Sequence, residues 1–373
     1  MCRVRRHAIS GRPQARIGFR TAVRWLACDD VGRLRRNRDG RGGGLGQVTD
    51  EGGDQATGQL GGAEPGSAII GRTPWQIFWA RFRQDKLALA GIVAVIIIVV
   101  LALSAGLIVK YVVHHPPNDT SHLRDMTNEY GRPLGPNGQF WFGGDTAGRD
   151  VFVRVLYGAR VSLIVAFAAT GISMVIGVAL GLIAGFYRGK VDTFISRLTD
   201  VVMTLPILLL ALGLVAACGA TKEGCAGGLL KPGLGLVVLV IGLASWPYIA
   251  RIVRGQVFTL REKEFVEASR AIGGGNIRIM IRDILPNVLA PIIVYTTLVI
   301  PQNILFEAAL SFLGLGVPPT TPSWGRMLSD AGSLFTVAWW LMFFPGLFLF
   351  LTTLAFNLVG DGLRDALDPR TGR

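Results

Sequence analysis

The sequence predicts an all-α, polytopic integral membrane protein with six transmembrane helices, on three observations. Half of the 373 residues are hydrophobic, only 17% are charged, and mean hydropathy is +0.45, the composition of a lipid-embedded chain. Six stretches approach the roughly 20 apolar residues a helix needs to cross a bilayer: 87–109, 161–186, 201–219, 233–250, 288–306 and 337–360. None contains Asp, Glu, Lys or Arg. With these set aside, little chain remains for an ATPase, hydrolase or soluble binding domain.

The amino-terminal leader, residues 1–72, reads as disordered, basic and then acidic. Residues 1–47 hold twelve arginines and no lysine, against Asp29, Asp30 and Asp39, and so carry most of the +13 net charge. Arginine interleaved with glycine is what GC-rich codons yield outside a reading frame, so translation is expected to start near Val48. The competing reading is a basic tail lying near anionic lipid. Nucleic acid, which a charge of +13 would otherwise suggest, is not expected as a partner. From Val48 the text turns acidic and Gly-rich, a disordered composition.

Residues 73–127 form the first membrane unit. "RTPWQIFWARFRQDK" is an amphipathic, basic segment whose Trp75, Trp79 and Phe82 suit a headgroup layer, and span one follows. Residues 128–160 read as an extracytoplasmic segment. Residues 161–367 hold the other five spans, the third being the shortest because Pro206 interrupts "TLPILLLALGLVAACG".

Orientation follows from Lys and Arg in the short connections. Arg188, Lys190 and Arg197 lie between spans two and three; Arg251, Arg254, Arg261, Lys263, Arg270, Arg278 and Arg282 lie between four and five. The alternate connections are poorer, holding Lys222 and Lys231 in one and Arg326 in another. Both termini are therefore expected in the cytoplasm of a multi-pass plasma (inner) membrane protein. The long first connection is richer in basic residues, but five acids offset them.

Within the connection between spans four and five, the loop 262–287 is dense in charge. In its first half Phe265, Ala268 and Ile272 recur at i, i+3 and i+7, an apolar helical stripe. Gly273–Gly275 ends that helix, since glycine enters left-handed geometry cheaply. In the second half Ile277, Met280, Ile281 and Ile284 repeat the pattern, and Pro286 opens span five. Two short amphipathic helices joined by a glycine elbow are predicted, and on periodicity alone they could simply lie in the headgroups.

The spacing says more. Glu267, Ala268, Ser269 and Gly273, then ten residues, then Ile284, Leu285 and Pro286 resemble the EAA loop of permease subunits in ATP-binding-cassette importers, with Ser269 in place of the usual second alanine. Two other segments resemble the dipeptide/oligopeptide/nickel branch of that family. "GGDTAGRDVFVRVLYGARVSL" supplies Gly144, Asp145, Gly148, Arg149, Asp150, Arg154, Gly158 and Arg160, followed by Ser162 and Leu163. "FEAALSFLGLGVPPTTPSWGRML" matches the branch pattern after span five. The resemblance covers roughly Trp75 to Leu367 and fits the second, C-type permease. It implies the type I importer permease fold, with 262–287 as the coupling loop that docks on a separate ATPase. The partners implied are a paralogous permease, two ATPase subunits, an extracytoplasmic solute-binding protein and the lipid bilayer. No cofactor is implied.

Other chemistries are weaker. "AGFYRGKV" fails as a phosphate-binding loop, because Ala184 stands where glycine is needed and Val191 where Ser or Thr must hold magnesium. A proton-coupled transporter keeps ionisable groups inside its spans; Glu307 is placed at the outer end of span five, as packing. A channel would leave the docking pattern unexplained. His114, His115 and His122 cluster with Asp119 and Asp125 outside the membrane; solvated loop histidines are commoner than metal ligands, so no metal is assigned. No catalytic Ser-His-Asp or Cys-His spacing is present. Di- or oligopeptide import is the expected function, with nickel or another small solute as the alternative. Cys218 and Cys225 bracket a Gly-rich, externally placed loop and are a candidate disulfide, which would stabilise by about 2–3 kcal/mol.

Overall fold

The computed structural model describes residues 74–219, 224–225 and 231–367. The arginine-rich leader and the expected start near Val48 lie outside them. Among these residues twelve α-helices follow one another, with π-helical turns at Val109–Val113 and Ile279–Ile284: α1 (Pro74–Phe82), α2 (Lys86–Ile108), α3 (Leu123–Met126), α4 (Val151–Tyr187), α5 (Gly189–Thr204), α6 (Ile207–Gly219), α7 (Leu234–Leu260), α8 (Glu264–Ala271), α9 (Asn276–Arg278), α10 (Leu285–Phe312), α11 (Trp324–Ala331) and α12 (Trp340–Leu367). Among the described residues there is no β-strand, only two isolated bridges.

Five helical segments are long and apolar enough to cross a membrane: 86–113, 151–187, 234–260, 276–312 and 340–367. The bent pair α5–α6 makes a sixth passage if taken as one span. The expected third span, 201–219, is thus not one helix. Leu205 is extended (φ −80°, ψ 133°), as the residue before a proline tends to be, and the chain turns by 83° there. Residues 201–204 belong instead to the amphipathic α5. Arg254 holds that helix through Asp192 (Nη2 to Oδ2, 2.8 Å), and Arg251 holds it through Asp200 (2.8 Å).

Helices α4 and α7 form the closest pair. Gly177, Gly181 and Gly185 recur every fourth residue, and a methyl at each would meet Ile249, Val253 and Val257 at 2.6–2.8 Å. Without side chains in the way, the backbones approach and gain dispersion contact where lipid offers no hydrophobic driving force. The core beside this seam joins Leu182, Phe186, Ile249, Val253 and Val257 to Val266, Ile279, Met280 and Ile284.

The amino-terminal segment differs from expectation in one respect. Trp79 is exposed, but Phe82 is buried against Phe78, Ala88 and Ala366; the side chain of Trp75 lies outside the described set. The end of α12 offers Phe82 a protein pocket, which removes it from the headgroup face. Asp85 then caps α2, accepting from the Leu87 and Ala88 amides. Cys218, at the end of α6, is bonded to Cys225 with Cα atoms 4.8 Å apart.

Candidate functional site

The segment 262–287 is built from its glycines outward. Helix α8 ends in a two-bond cap, with the Gly273 amide donating to Arg270 O and the Gly274 amide to Ser269 O, both at 2.9 Å. Gly273 has φ +84°, a conformation that costs any other residue about 1–2 kcal/mol. Ser269 donates from Oγ to Asp283 Oδ2 at 2.7 Å, so the serine that replaces alanine clasps the two halves of the loop together.

One expectation for this loop is corrected, and its apolar residues divide between two faces. Phe265, Ile272, Ile277 and Ile281 are exposed, at 41%, 85%, 67% and 58%. The inward anchors are Val266, Ile279, Met280 and Ile284. The stripe of Phe265 and Ile272 thus faces away from the chain's own core. The second half is not the separate short helix that the pattern predicts. Residues 276–312 run as one continuous piece, with a π-helical turn at Ile279–Ile284 just ahead of Pro286. The wider turn moves the backbone away from the carbonyl that the proline ring would otherwise strike. Ile284 is buried, Leu285 half-buried and Pro286 exposed, whereas Glu267 and Ala268 are exposed on α8.

The motif ahead of span two forms a tight turn at the opposite end of α4. Gly144 and Asp150 pair across an isolated bridge. Asp145 accepts from the amides of Ala147 and Arg149 (2.9 Å each) and from Arg149 Nε (2.7 Å). Gly148, at φ +71°, lies against Leu123, whose Cα a methyl there would meet at 2.4 Å. Asp150 caps α4 by accepting from the Phe152 amide, and burial pushes its carboxyl above its ordinary range. Arg154 is 1% exposed. Its Nε lies 3.7 Å from Asp145 and its Nη2 4.0 Å from Asp330. Gly158 seats Trp324, whose indole donates to Val155 O at 3.1 Å. Arg160 is exposed.

The two family-like motifs meet here, and Glu307 is where they join. It accepts from Ser162 and Ser311, both at 2.7 Å, and the Ser323 hydroxyl lies close by. Glu307 is 0% exposed, and it sits inside α10, which continues to Phe312. It therefore lies near the outer end of the span, as expected, but inside the helix, which runs past the apolar window and so holds an ionisable group. The hydroxyl ring explains how, since a buried carboxyl needs hydrogen-bond partners. Its packing role stands on those contacts.

Comparison with known proteins gives the same picture. Residues 177–373 match the model of the binding-protein-dependent transport system inner membrane component, and residues 73–128 match the N-terminal transmembrane domain of oligopeptide transport permease C. The chain belongs to the family of binding-protein-dependent transport system inner membrane components.

This permease is 41% identical over 298 residues to the dipeptide transport system permease protein of Alkalihalophilus pseudofirmus, covering 80% of this chain and 90% of that protein. It is 42% identical over 299 residues to the glutathione transport system permease protein of Escherichia coli O6:K15:H31, covering 80% and 91%. A chain of the MetNI methionine ABC transporter in an inward-facing conformation aligns with TM-score 0.47 and 19% identity, over 57% of the permease and 96% of that chain. The permease is a multi-pass inner-membrane transport subunit, not an enzyme; ATP hydrolysis belongs to a separate subunit. Sequence reasoning missed Asp330, which pairs with Arg326 at 3.1 Å as well as facing Arg154. The i, i+4 spacing of Arg326 and Asp330 was the signal available.

Proposed function

We propose that this permease is the C-type membrane subunit of a di- or oligopeptide importer, and that α8 is the helix on which an ATPase docks. Its assembly would comprise a paralogous permease, two ATPase subunits and an extracytoplasmic solute-binding protein. The observation that carries the docking assignment is the outward face of the loop. Phe265 and Ile272 stand exposed beside Glu267, while Val266 ties the helix to the core. An apolar face with one carboxylate, held at the end of a rigid bundle, suits a protein cleft better than water. The peptide substrate class rests on the named relatives.

The topology that fits this reading places α8 in the cytoplasm. Helix α10 leaves that end and α12 returns to it, Gly360 lying beside Leu298. The end of α12 packs on α1 through Phe82 and Ala366, which fits a cytoplasmic position for the start of α1 and the end of α12 as well. ATP-driven closure of the two ATPases would draw two such loops together and rock the spans between inward- and outward-facing states.

The test is substitution at the loop. Glu267→Lys reverses charge on the docking face, and Gly273→Leu places a branched side chain at φ +84°. Both variants are expected to insert in the membrane while losing peptide uptake and ATPase co-purification. Recovery of the ATPase at wild-type yield in both refutes the assignment. Uptake that survives loss of every ATPase but collapses with the proton gradient refutes the importer reading.

A further inference from the structure

The segment between α2 and α4 carries three ligand-type side chains that the transport reading does not use. The ligand atoms of His115, Asp119 and His122 lie within 4.8 Å of one another, and all three residues are half-buried. We propose that these residues form a binding site for a divalent transition-metal ion, Zn²⁺ being the best fit.

The geometry supports this at three levels. Ligands about 2.0–2.1 Å from a tetrahedral Zn²⁺ stand about 3.3 Å apart, so modest side-chain rotations close the set. Two imidazoles and one carboxylate favour zinc, copper or nickel over magnesium and calcium, which require oxygen ligands. Three protein ligands leave a fourth position for water.

The surroundings hold these side chains in place. The two imidazoles meet edge-on with centroids 4.2 Å apart, and the buried Phe140 ring backs both at about 6 Å (6.1 and 6.0 Å). His122 Nδ1 lies 3.4 Å from Asp125 Oδ2. A carboxylate on one ring nitrogen directs the other toward a metal and raises its basicity. Asp119 Oδ1 accepts from the Ser121 amide at 2.9 Å. The backbone is pinned too. His114 turns the chain at φ +63°, and Asn118 between the ligands donates to Thr320 O at 2.6 Å. A bound ion would therefore clip the chain leaving α2 to the start of α3.

The experiment titrates Zn²⁺ against a chromophoric chelator, using the full chain in lipid nanodiscs. Cys2→Ser and Cys28→Ser are introduced so that no leader thiol competes. One ion per chain is expected, undisturbed by excess Mg²⁺. His115→Ala and His122→Ala should each weaken binding more than about 100-fold, and Asp125→Asn by about tenfold. His114→Asn, which tolerates the left-handed backbone, should leave it unchanged. Because truncation beside Phe140 can disturb the loop, His122→Gln is measured alongside, with Co²⁺ replacing Zn²⁺. The wild-type chain should show a tetrahedral visible spectrum and the variant should lose it. Binding of less than half an equivalent, binding indifferent to both His115→Ala and His122→Ala, or loss of binding in His114→Asn overturns the site.

Discussion

Asp145 and Arg154 belong to one cluster, yet replacing them should have very different consequences. The cluster holds three guanidinium groups (Arg149, Arg154 and Arg326) against the carboxylates of Asp145 and Asp330. Asp145→Ala removes the acceptor for two backbone amides and for Arg149, and it leaves the buried Arg154 with Asp330 at 4.0 Å as its one carboxylate, beside Asn118 Oδ1 at 3.4 Å. Removing one partner of a buried pair costs about 3–5 kcal/mol. Arg154→Met keeps an unbranched apolar stem and removes a cation whose Nη2 has no hydrogen-bond partner. Both carboxylates keep an arginine, Asp145 through Arg149 at 2.7 Å and Asp330 through Arg326 at 3.1 Å. The charge count then balances, and stability should stay within about 1 kcal/mol of wild type. The assay is thermal unfolding of the purified chain in a fixed detergent, followed by tryptophan fluorescence. A loss in Arg154→Met equal to that in Asp145→Ala refutes the reasoning and makes the long contacts of Arg154 the ones that matter.

Gly181→Ala should destabilise by about 1–3 kcal/mol, because its methyl would meet Ala250 O at 2.7 Å. Gly213→Ala on α6, with nothing within 4 Å, should be neutral or slightly stabilising in the same thermal assay. Ser269→Ala removes a hydrogen bond to a carboxylate, worth about 1.5–3 kcal/mol. Amides of Gly273–Gly275 should then exchange hydrogen faster while membrane insertion is unchanged, and unaltered exchange would count against the clasp. Cys218 and Cys225 should resist alkylation until reductant is added; labelling of both without reductant would exclude the bridge.

Much of the fold was legible because hydropathy reports directly on lipid exposure. Leu103 and Leu107 on α2, exposed at 70% and 62%, sit in the most apolar stretch of the chain. What escaped was set by partners distant in sequence. Pro206 announces a break, but the 83° bend goes with Asp192 and Asp200 finding Arg254 and Arg251, some 50–60 residues away. Glu307 was placed at the outer end of a span because a carboxyl ends any apolar window, whereas Ser162, 145 positions earlier, provides for it inside the helix. In the loop, periodicity picked out the stripe of Phe265 and Ile272, which stands exposed, but the residue that ties α8 to the core, Val266, lies off that stripe and packs on residues distant in sequence.

The continuous piece from Asn276 to Phe312 has a mechanical consequence. Its 37 residues make a lever about 55 Å long, and a 10° tilt about its middle sweeps each tip by about 5 Å. The loop cap sits at one tip and the hydroxyl-ringed carboxyl near the other. Between them Pro291 and Pro301 each delete a backbone hydrogen bond and soften the shaft. The stiffness of those two joints sets the gearing: how much of a push at Asn276 arrives at Glu307 as displacement, and how much is absorbed as bend.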